Sequence, residues 1–380
     1  MKNIRKVNVA VVGCGMISDI YLENITRKFS IFNVVGCCAK SKKSAEIKAI
    51  KYNIKALTFE DVLSDKSIEM VINLTPPEAH YDVIKQLLYA NKNVYSEKIL
   101  AVKYEEAEDL VRIANERNLY LGVSPDTFLG SSIQTARQVV DSGMIGEITS
   151  CFAAVNRDYG MFVEHVPFVS KPGGGVGFDV GIYYMTALVS ILGAVKEVSG
   201  FLKTNRKIRK HYFVRNDNFD DPYEIECENV MVGSLLFENG VLGNVHFNSE
   251  NIMNERPHVV IYGTEGIIYM SDPNTFGGEV SVVRKGHEEP FVIQQNFGFA
   301  ENCRGLGAAE MAWAMRRDRK HRANKEMALN ALEALHGIAI SSETKSNYIL
   351  KSTFEKLPQL PQGYLDTTYF NSDPEAALEK

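Results

Sequence analysis

The sequence has no apolar run approaching the length that spans a bilayer, no internal repeat and no low-complexity tract. A membrane protein is therefore not expected, and Met1-Lys2 leads toward a strand-like run rather than a signal peptide. A cytoplasmic location follows as the expectation. Positive charge is not in excess either: 42 Lys and Arg stand against 47 Asp and Glu, a formal net charge of -5. With no basic stripe interleaved with aromatics, nucleic acid is excluded as a general partner. The six cysteines, Cys14, Cys37, Cys38, Cys151, Cys227 and Cys303, are scattered and include no Cys-x-x-Cys pair. That spacing excludes a zinc knuckle and a disulfide framework and predicts buried thiols. Eight dispersed histidines form no His-Glu-x-x-His cluster, so no metal is expected. What remains is 380 residues with 45% hydrophobic and 23% charged content, enough for two domains with substantial cores.

Residues 1–124 alternate strand and helix signals, which argues for βαβ units and a parallel sheet. Strands are expected at 7–12, 32–39, 70–74, 93–96 and 120–123, with helices over 78–90 and 103–118 among them. After Pro125 the rhythm changes. A helix over 132–141 and a strand over 147–155 precede a glycine-rich segment and helix at 173–192. Runs at 195–202, 224–237, 241–247, 258–262, 266–270, 280–283 and 291–293 read as one large, mainly antiparallel open sheet. Helices over 306–317 and 325–342 close the body. The expected organisation is an α/β chain, with a doubly wound domain at 1–124, an α+β domain at 125–357 and a tail at 358–380. The tail, with its Pro, Gly and polar residues, leaves two readings open: an unfolded extension or an arm over a neighbouring subunit.

The chemistry begins at the first strand, which runs into Gly13-Cys14-Gly15-Met16-Ile17-Ser18. The first glycine permits a tight turn and the second lets backbone approach a pyrophosphate at a helix N-terminus, the dinucleotide fingerprint of a Rossmann domain. Ser18 stands where the third glycine belongs. Asn73-Leu74-Thr75-Pro76-Pro77-Glu78-Ala79-His80 follows a strand end, where open α/β sheets hold ligands, although this segment taken alone favours a stiff turn into a helix starting at Glu78. Tyr95-Ser96-Glu97-Lys98 places an acid and a lysine at another strand end. Beside a nicotinamide, burial and the ring's charge would lower the lysine pKa and fit it for proton transfer, whereas a solvated rim is the plain alternative.

Five segments in the same order carry a resemblance to the glucose-fructose oxidoreductase / inositol dehydrogenase / MocA (Gfo/Idh/MocA) family: Gly13-Cys14-Gly15-Met16-Ile17, Thr75-Pro76-Pro77-Glu78-Ala79-His80, Ser96-Glu97-Lys98, Asp141-Ser142-Gly143-Met144-Ile145-Gly146-Glu147, and the run from Gly173-Gly174-Gly175 through Asp179 to Tyr183. The resemblance covers nearly the whole chain. It implies NAD(P)-dependent oxidoreduction of a sugar or cyclic polyol, and a homodimer or homotetramer assembled through the C-terminal sheet. By that resemblance Lys98 holds the substrate hydroxyl and assists proton transfer, and Asp179 contacts substrate or the partner base. Tyr183 is the proton donor or acceptor, standing where inositol dehydrogenases have histidine and the glucose-fructose branch has tyrosine. Asp179 and Tyr183 lie four residues apart, on one helix face. A phenol that normally ionises near 10 serves there only if positive charge from Lys98 and oxidised nicotinamide favours its anion.

Two departures from the family pattern stand out. Ile99 replaces the proline that usually follows the lysine, so a rigid constraint on Lys98 is expected to be missing. Ser18 is small enough to be tolerated. The expected cofactor cradle is Gly13, Gly15, Met16, Ile17, Lys40, Ser41, Leu74, Thr75, Pro76, His80, Glu97 and Lys98. At the end of the second strand, Cys38-Ala39-Lys40-Ser41-Lys42-Lys43 has no acid before Glu46, which favours NADP over NAD, with Lys40 and Ser41 toward the 2'-phosphate. Gly173 to Gly175 would let backbone approach substrate or nicotinamide. Asp126, Arg157 and His165 are candidate sugar contacts in loops. Alternative readings are an NAD-dependent, redox-assisted glycosidase of the same family and a non-catalytic dinucleotide- or sugar-binding protein.

Overall fold

The structure is a computed structural model that describes residues 4–252 and 258–364. Six strands, β1 (Val7–Val12), β2 (Phe32–Cys38), β3 (Lys55–Ala56), β4 (Met70–Asn73), β5 (Asn93–Ser96) and β6 (Leu121–Val123), form one sheet in the order β3-β2-β1-β4-β5-β6. Every pairing in it is parallel. Helices α1 (Ser18–Arg27), α2 (Lys42–Tyr52), α3 (Phe59–Ser64), α4 (His80–Tyr89) and α5 (Tyr104–Glu116) lie between the strands. β1 and β4 are central and covered on both faces, which explains why, Asn8 and Asn73 apart, they are apolar. Because the order reverses between β1 and β4, their carboxyl ends open a crevice. β3 and α3 carry no clear sequence signal: β3 is two exposed residues held only by pairing with β2.

Beyond α6 (Ser131–Asp141), strand β7 (Ile148–Asn156), helix α7 (Ile182–Leu192) and strand β8 (Val195–Lys203) begin the second unit. A small antiparallel ribbon, β9 (Ile208–Lys210) with β10 (Pro222–Glu224), projects from it. Then come β11 (Val230–Phe237), β12 (Leu242–Asn248), β13 (His258–Gly263), β14 (Gly266–Met270), β15 (Val280–Arg284) and β16 (Phe291–Val292). Helices α8 (Leu306–Arg317) and α9 (Lys325–Thr344) and strand β17 (Tyr348–Ile349) complete it. The nine-stranded sheet runs β16-β15-β14-β13-β7-β12-β11-β8-β17. Its neighbours are antiparallel except β7 and β12, which are parallel. Residues 224–237, expected as one strand, divide: the chain leaves the ribbon after Glu224, and the Glu226 N–H donates to the Ser170 carbonyl before β11 starts.

Alternation along β11 and β12 buries Met231, Leu235, Val245 and Phe247 and leaves Val232 and Leu242 exposed on the other face. Five of the six thiols are buried and Cys14 is partly so, as the sequence predicts. The late helices return to the first domain, where the Val123 N–H donates to the Ala323 carbonyl at 3.0 Å, on the free side of β6. The described part of the tail packs on its own chain. Leu360 is buried, its N–H donates to Gln134 Oε1 at 2.8 Å, and Arg322 Nε donates to the Pro358 carbonyl. Residues 358–364 thus pack on their own chain; residues 365–380 lie outside the described residues.

The turn between α8 and α9 depends on Glu310, which is fully buried and accepts from Arg319 Nη1 at 2.6 Å, Arg322 Nη1 at 2.6 Å and the Arg322 N–H at 2.9 Å. Removing one partner of a buried charge cluster leaves the others uncompensated. Glu310→Ala should cost about 3–5 kcal/mol of stability, read as a lower urea midpoint. An unmoved midpoint would refute this account of the turn.

Candidate active site

The crevice at the strand ends begins with Gly13, whose φ of +103° suits glycine and whose added Cβ would lie 2.6 Å from the Leu74 backbone. A Cβ on Gly15 would meet no atom within 4 Å, so the turn is tight behind and open in front. Ser18 is fully buried and donates to the Gly15 carbonyl at 2.6 Å, filling the third-glycine position with a bond that braces the turn. Met16 is 70% exposed and Ile17 stands beside it at the mouth, apolar surface that a bound group would cover. The tight turn, open in front and leading into a helix start, fits a dinucleotide pyrophosphate. Lys40 is exposed at the end of β2, and Ser41 caps α2 by accepting the Ser44 N–H, so its hydroxyl is partly committed to the helix.

Leu74, Thr75 and Pro76 leave β4 along the same crevice. Thr75 Oγ1 donates to Asn73 Oδ1 at 2.8 Å, and Asn73 Nδ2 donates to Ser96 Oγ at 3.0 Å, which ties the end of β4 to that of β5. His80 has a different role from the expected cofactor contact. It is fully buried, with Nδ1 2.5 Å from the Ile99 carbonyl and Nε2 2.8 Å from the Thr75 carbonyl. Burial holds its imidazole below the usual pKa against those two carbonyls, and neither ring nitrogen faces an open site. His80 therefore clamps two loops.

Lys98 follows β5. Ile99, which stands where a proline was expected, is buried and its carbonyl lies 2.5 Å from His80 Nδ1, so this loop is braced without a proline. The Lys98 ammonium, 12% exposed, donates to the Asp179 carbonyl at 2.7 Å and pairs with Asp179 Oδ1. Asp179 Oδ2 accepts from the Tyr159 hydroxyl at 2.7 Å, so both carboxylate oxygens are engaged. Burial alone would lower the Lys98 pKa, but the charges of Asp179, Tyr183 and Glu97 outweigh it and raise it. In the chain by itself the expected lowering does not occur, and Asp179 favours the charged form of Lys98. Glu97 is buried too, accepting the Tyr21 hydroxyl at 2.6 Å and the Lys98 N–H at 3.0 Å.

Asp179 lies in a π-helical turn, Gly177–Gly181, that feeds directly into α7, and Tyr183 sits in the first turn of that helix. The Lys98 ammonium stands 5.7 Å from the Tyr183 ring centroid and 5.6 Å from that of Phe168. Tyr183 is 8% exposed. Its pKa is raised, first by burial and then by Glu97, with Lys98 and Arg304 opposing. The expected lowering does not occur in the chain by itself.

The glycine run is explained by the chain's own atoms rather than by a ligand. A Cβ on Gly174 would lie 1.8 Å from the Phe168 carbonyl oxygen, and one on Gly175 2.0 Å from Glu228 Oε2. Glu228 Oε1 accepts the Gly177 N–H at 3.0 Å, at the start of the turn that carries Asp179.

The three loop candidates separate. Asp126 is buried and its Oδ2 accepts the N–H groups of Gly305 at 2.8 Å and Gly307 at 3.0 Å, so it anchors the start of α8 rather than facing solvent for a sugar. Burial pushes its pKa up to about 6. Arg157 pairs with Asp272 at 3.3 Å. His165 is exposed and stacks at 6.1 Å on Phe213. Lys98, Asp179, Tyr183 and Glu97 are brought together; His165 stays out on the ribbon side.

Sequence reasoning missed Tyr21, Tyr159, Glu228 and Arg304. Only Arg304 had a readable signal, in Arg304-Gly305-Leu306-Gly307 before α8, a glycine-punctuated helix start of the kind that gathers charge.

Residues 7–124 match the oxidoreductase family with an NAD-binding Rossmann fold (GFO_IDH_MocA), and residues 133–269 match the GFO/IDH/MocA C-terminal domain. An uncharacterized oxidoreductase of Schizosaccharomyces pombe is 28% identical over 207 residues, 53% of this chain and 56% of that protein. The scyllo-inositol 2-dehydrogenase (NADP(+)) IolW of Bacillus subtilis is 24% identical over 216 residues, 54% of this chain and 58% of that protein. The matches thus span little more than half the length of these relatives. In fold, the chain is similar to a levoglucosan dehydrogenase in complex with NADH, with a TM-score of 0.79 at 16% identity, covering 94% of this chain and all of the other.

Burial pushes the Glu228 carboxyl up to about 7, against an ordinary glutamate value near 4.3. The folded state therefore holds a proton that the unfolded chain releases, and stability contributed below about pH 4.3 is lost as pH rises through about 7. Glu228→Gln should shrink the fall in folding free energy between pH 5 and 8 by on the order of 2 kcal/mol. Parallel pH profiles for the two proteins in denaturant titrations would contradict it.

Proposed function

The chain belongs to the Gfo/Idh/MocA oxidoreductase family, and from that premise we propose that it moves a hydride between a nicotinamide dinucleotide and a carbinol or carbonyl carbon of a sugar or cyclic polyol. The observation that carries this reading is the buried ion pair of Lys98 with Asp179, set beside Tyr183 at the end of β5. When bound, the dinucleotide supplies the hydride acceptor or donor. The other parts of the reaction fall to side chains of this protein. Lys98, held cationic by Asp179, donates a hydrogen bond to the reacting oxygen and stabilises negative charge as it develops there. Asp179 fixes the direction of that donor, and Tyr159 fixes Asp179. Tyr183 as its phenolate accepts the hydroxyl proton in oxidation, and as the neutral phenol it returns that proton in reduction. IolW and the levoglucosan dehydrogenase lend their substrate class to the proposal by similarity alone.

The dinucleotide we propose is NADP, supported by exposed Lys40 at the end of β2 and by the absence of an acid before Glu46. The open face of the nine-stranded sheet, with Val232, Leu242 and Tyr269 exposed, is where we place the contacts of a homodimer or homotetramer. We propose a cytoplasmic location; among the described residues no helix is long and apolar enough to cross a membrane.

A panel of aldoses, inositols and anhydrosugars with NADP and NAD, followed by nicotinamide absorbance, tests the reaction. Lys98→Ala should lower turnover by about 100-fold or more while dinucleotide affinity changes little; undiminished turnover would sink the assignment. Lys40→Glu should weaken NADP binding about tenfold or more and leave NAD nearly untouched. Equal losses for both cofactors would remove Lys40 from the phosphate site.

A further inference from the structure

We propose that Arg209 is a positioning residue of the hydride-transfer site: it holds the turn that carries Tyr159 and so keeps Asp179 aimed at Lys98. This rests on the reading of Lys98 and Asp179 given above. Arg209 lies in β9, on a ribbon whose two strands pair with each other and not with the nine-stranded sheet. It is 5% exposed, a buried cation on a projecting element. Its Nη2 donates to Asp158 Oδ1 at 2.7 Å and to the Tyr212 hydroxyl at 2.6 Å, and its Nη1 donates to Glu250 Oε1 at 3.2 Å. Glu250 in turn accepts from Asn229 Nδ2 at 3.1 Å and from Arg206 Nε at 2.6 Å.

Asp158 is the link to the site. Its Oδ1 accepts the Gly160 N–H at 2.9 Å, capping the single turn Tyr159–Met161, and takes the guanidinium on the same oxygen. That turn lies directly against the guanidinium: a Cβ on Gly160 would stand 2.2 Å from Arg209 Nη2. The Tyr159 N–H donates to the carbonyl of Ser249, next to Glu250, at 3.1 Å. The turn is therefore gripped at its cap by one acid that meets Arg209 and at its start by the neighbour of the other. From there the Tyr159 hydroxyl donates to Asp179 Oδ2 at 2.7 Å, and Asp179 Oδ1 holds Lys98. An apolar side chain could fill the space under the ribbon without the desolvation cost of a buried charge, but it would leave Asp158 without its cation. A misplacement of about 1 Å at the reacting atoms can cost about 100-fold in rate. A small drift of the Tyr159 turn is thus enough to be felt at Lys98.

The test measures kcat and dinucleotide affinity on the full chain with the sugar that the panel identifies, and adds amide hydrogen exchange, which needs no substrate. Arg209→Gln should lower kcat about tenfold or more while the Kd of the dinucleotide stays within about twofold. Tyr159→Phe should do the same. The double variant should be no slower than the slower single one, because both act through one hydrogen bond. In exchange, Arg209→Gln should speed the amides of residues 177–181 as well as those of 158–163 by about tenfold. Gly160→Ala, whose added methyl displaces the guanidinium without removing its charge, should give both effects and serves if Arg209→Gln fails to fold. Lys210→Ala, which removes an exposed ion pair with Asp220 on the same ribbon, should give neither. An unchanged kcat in Arg209→Gln, losses that multiply in the double variant, or faster exchange confined to 158–163 would each overturn the proposal. Lys98→Ala separates this failure from that of the underlying reading. If it retains turnover, Lys98 is not part of the chemistry; if it is inactive while Arg209→Gln is fully active, only the role of Arg209 falls.

Discussion

The structure depends on one ion pair that crosses between its two domains. Lys98 comes from the end of β5 in the parallel sheet and Asp179 from the turn that begins α7. Taking both charges out of water costs several kcal/mol per ion, which close pairing and further hydrogen bonds must offset. Here the Asp179 carbonyl and Oδ1 take two of the three ammonium N–H groups, and Tyr159 donates to Oδ2. The demand reaches outward. The helical start that presents Asp179 is held at Gly177 by Glu228, and Glu228 comes so close that Gly175 has no room for a side chain.

That constraint also explains how the charges are shared out. Both carboxylate oxygens of Asp179 are engaged, one by Lys98 and one by Tyr159, and the Tyr183 ring stands 5.7 Å from the ammonium. Around it the protein keeps its carboxylates quiet. Glu97 is tied to Tyr21, and Asp126 is tied to the backbone at the start of α8. The start of α8 thereby matters to the crevice as the strands do, since the N–H groups of Gly305 and Gly307 anchor Asp126.

Most of the fold was legible because buried parallel strands and amphipathic helices write their periods into the chain. β1, β5, β14 and α8 fall where the apolar runs begin and end. β3, β9 and β17 were not legible, being two or three residues long and defined by a partner strand rather than by their own pattern. In the site, Gly13, Gly15, Lys98, Asp179 and Tyr183 stood out as motifs. His80, Asp126 and the glycine run stood out equally and belong to internal bracing, because a motif names a residue type and a position but not the atoms opposite it.

The sequence by itself determined the doubly wound sheet, the tight turn at Gly13, the lysine at the end of β5 and the acid and tyrosine four residues apart. These are local facts, set by residue size, period and backbone freedom. Only the tertiary structure decided which charges meet. The charge that favours the protonated form of Lys98 comes from a carboxylate 81 positions away, and the hydroxyl that steadies that carboxylate comes from Tyr159, 20 positions before it. Proton affinity is a property of the space around a group, and that space is built from segments that no local pattern connects.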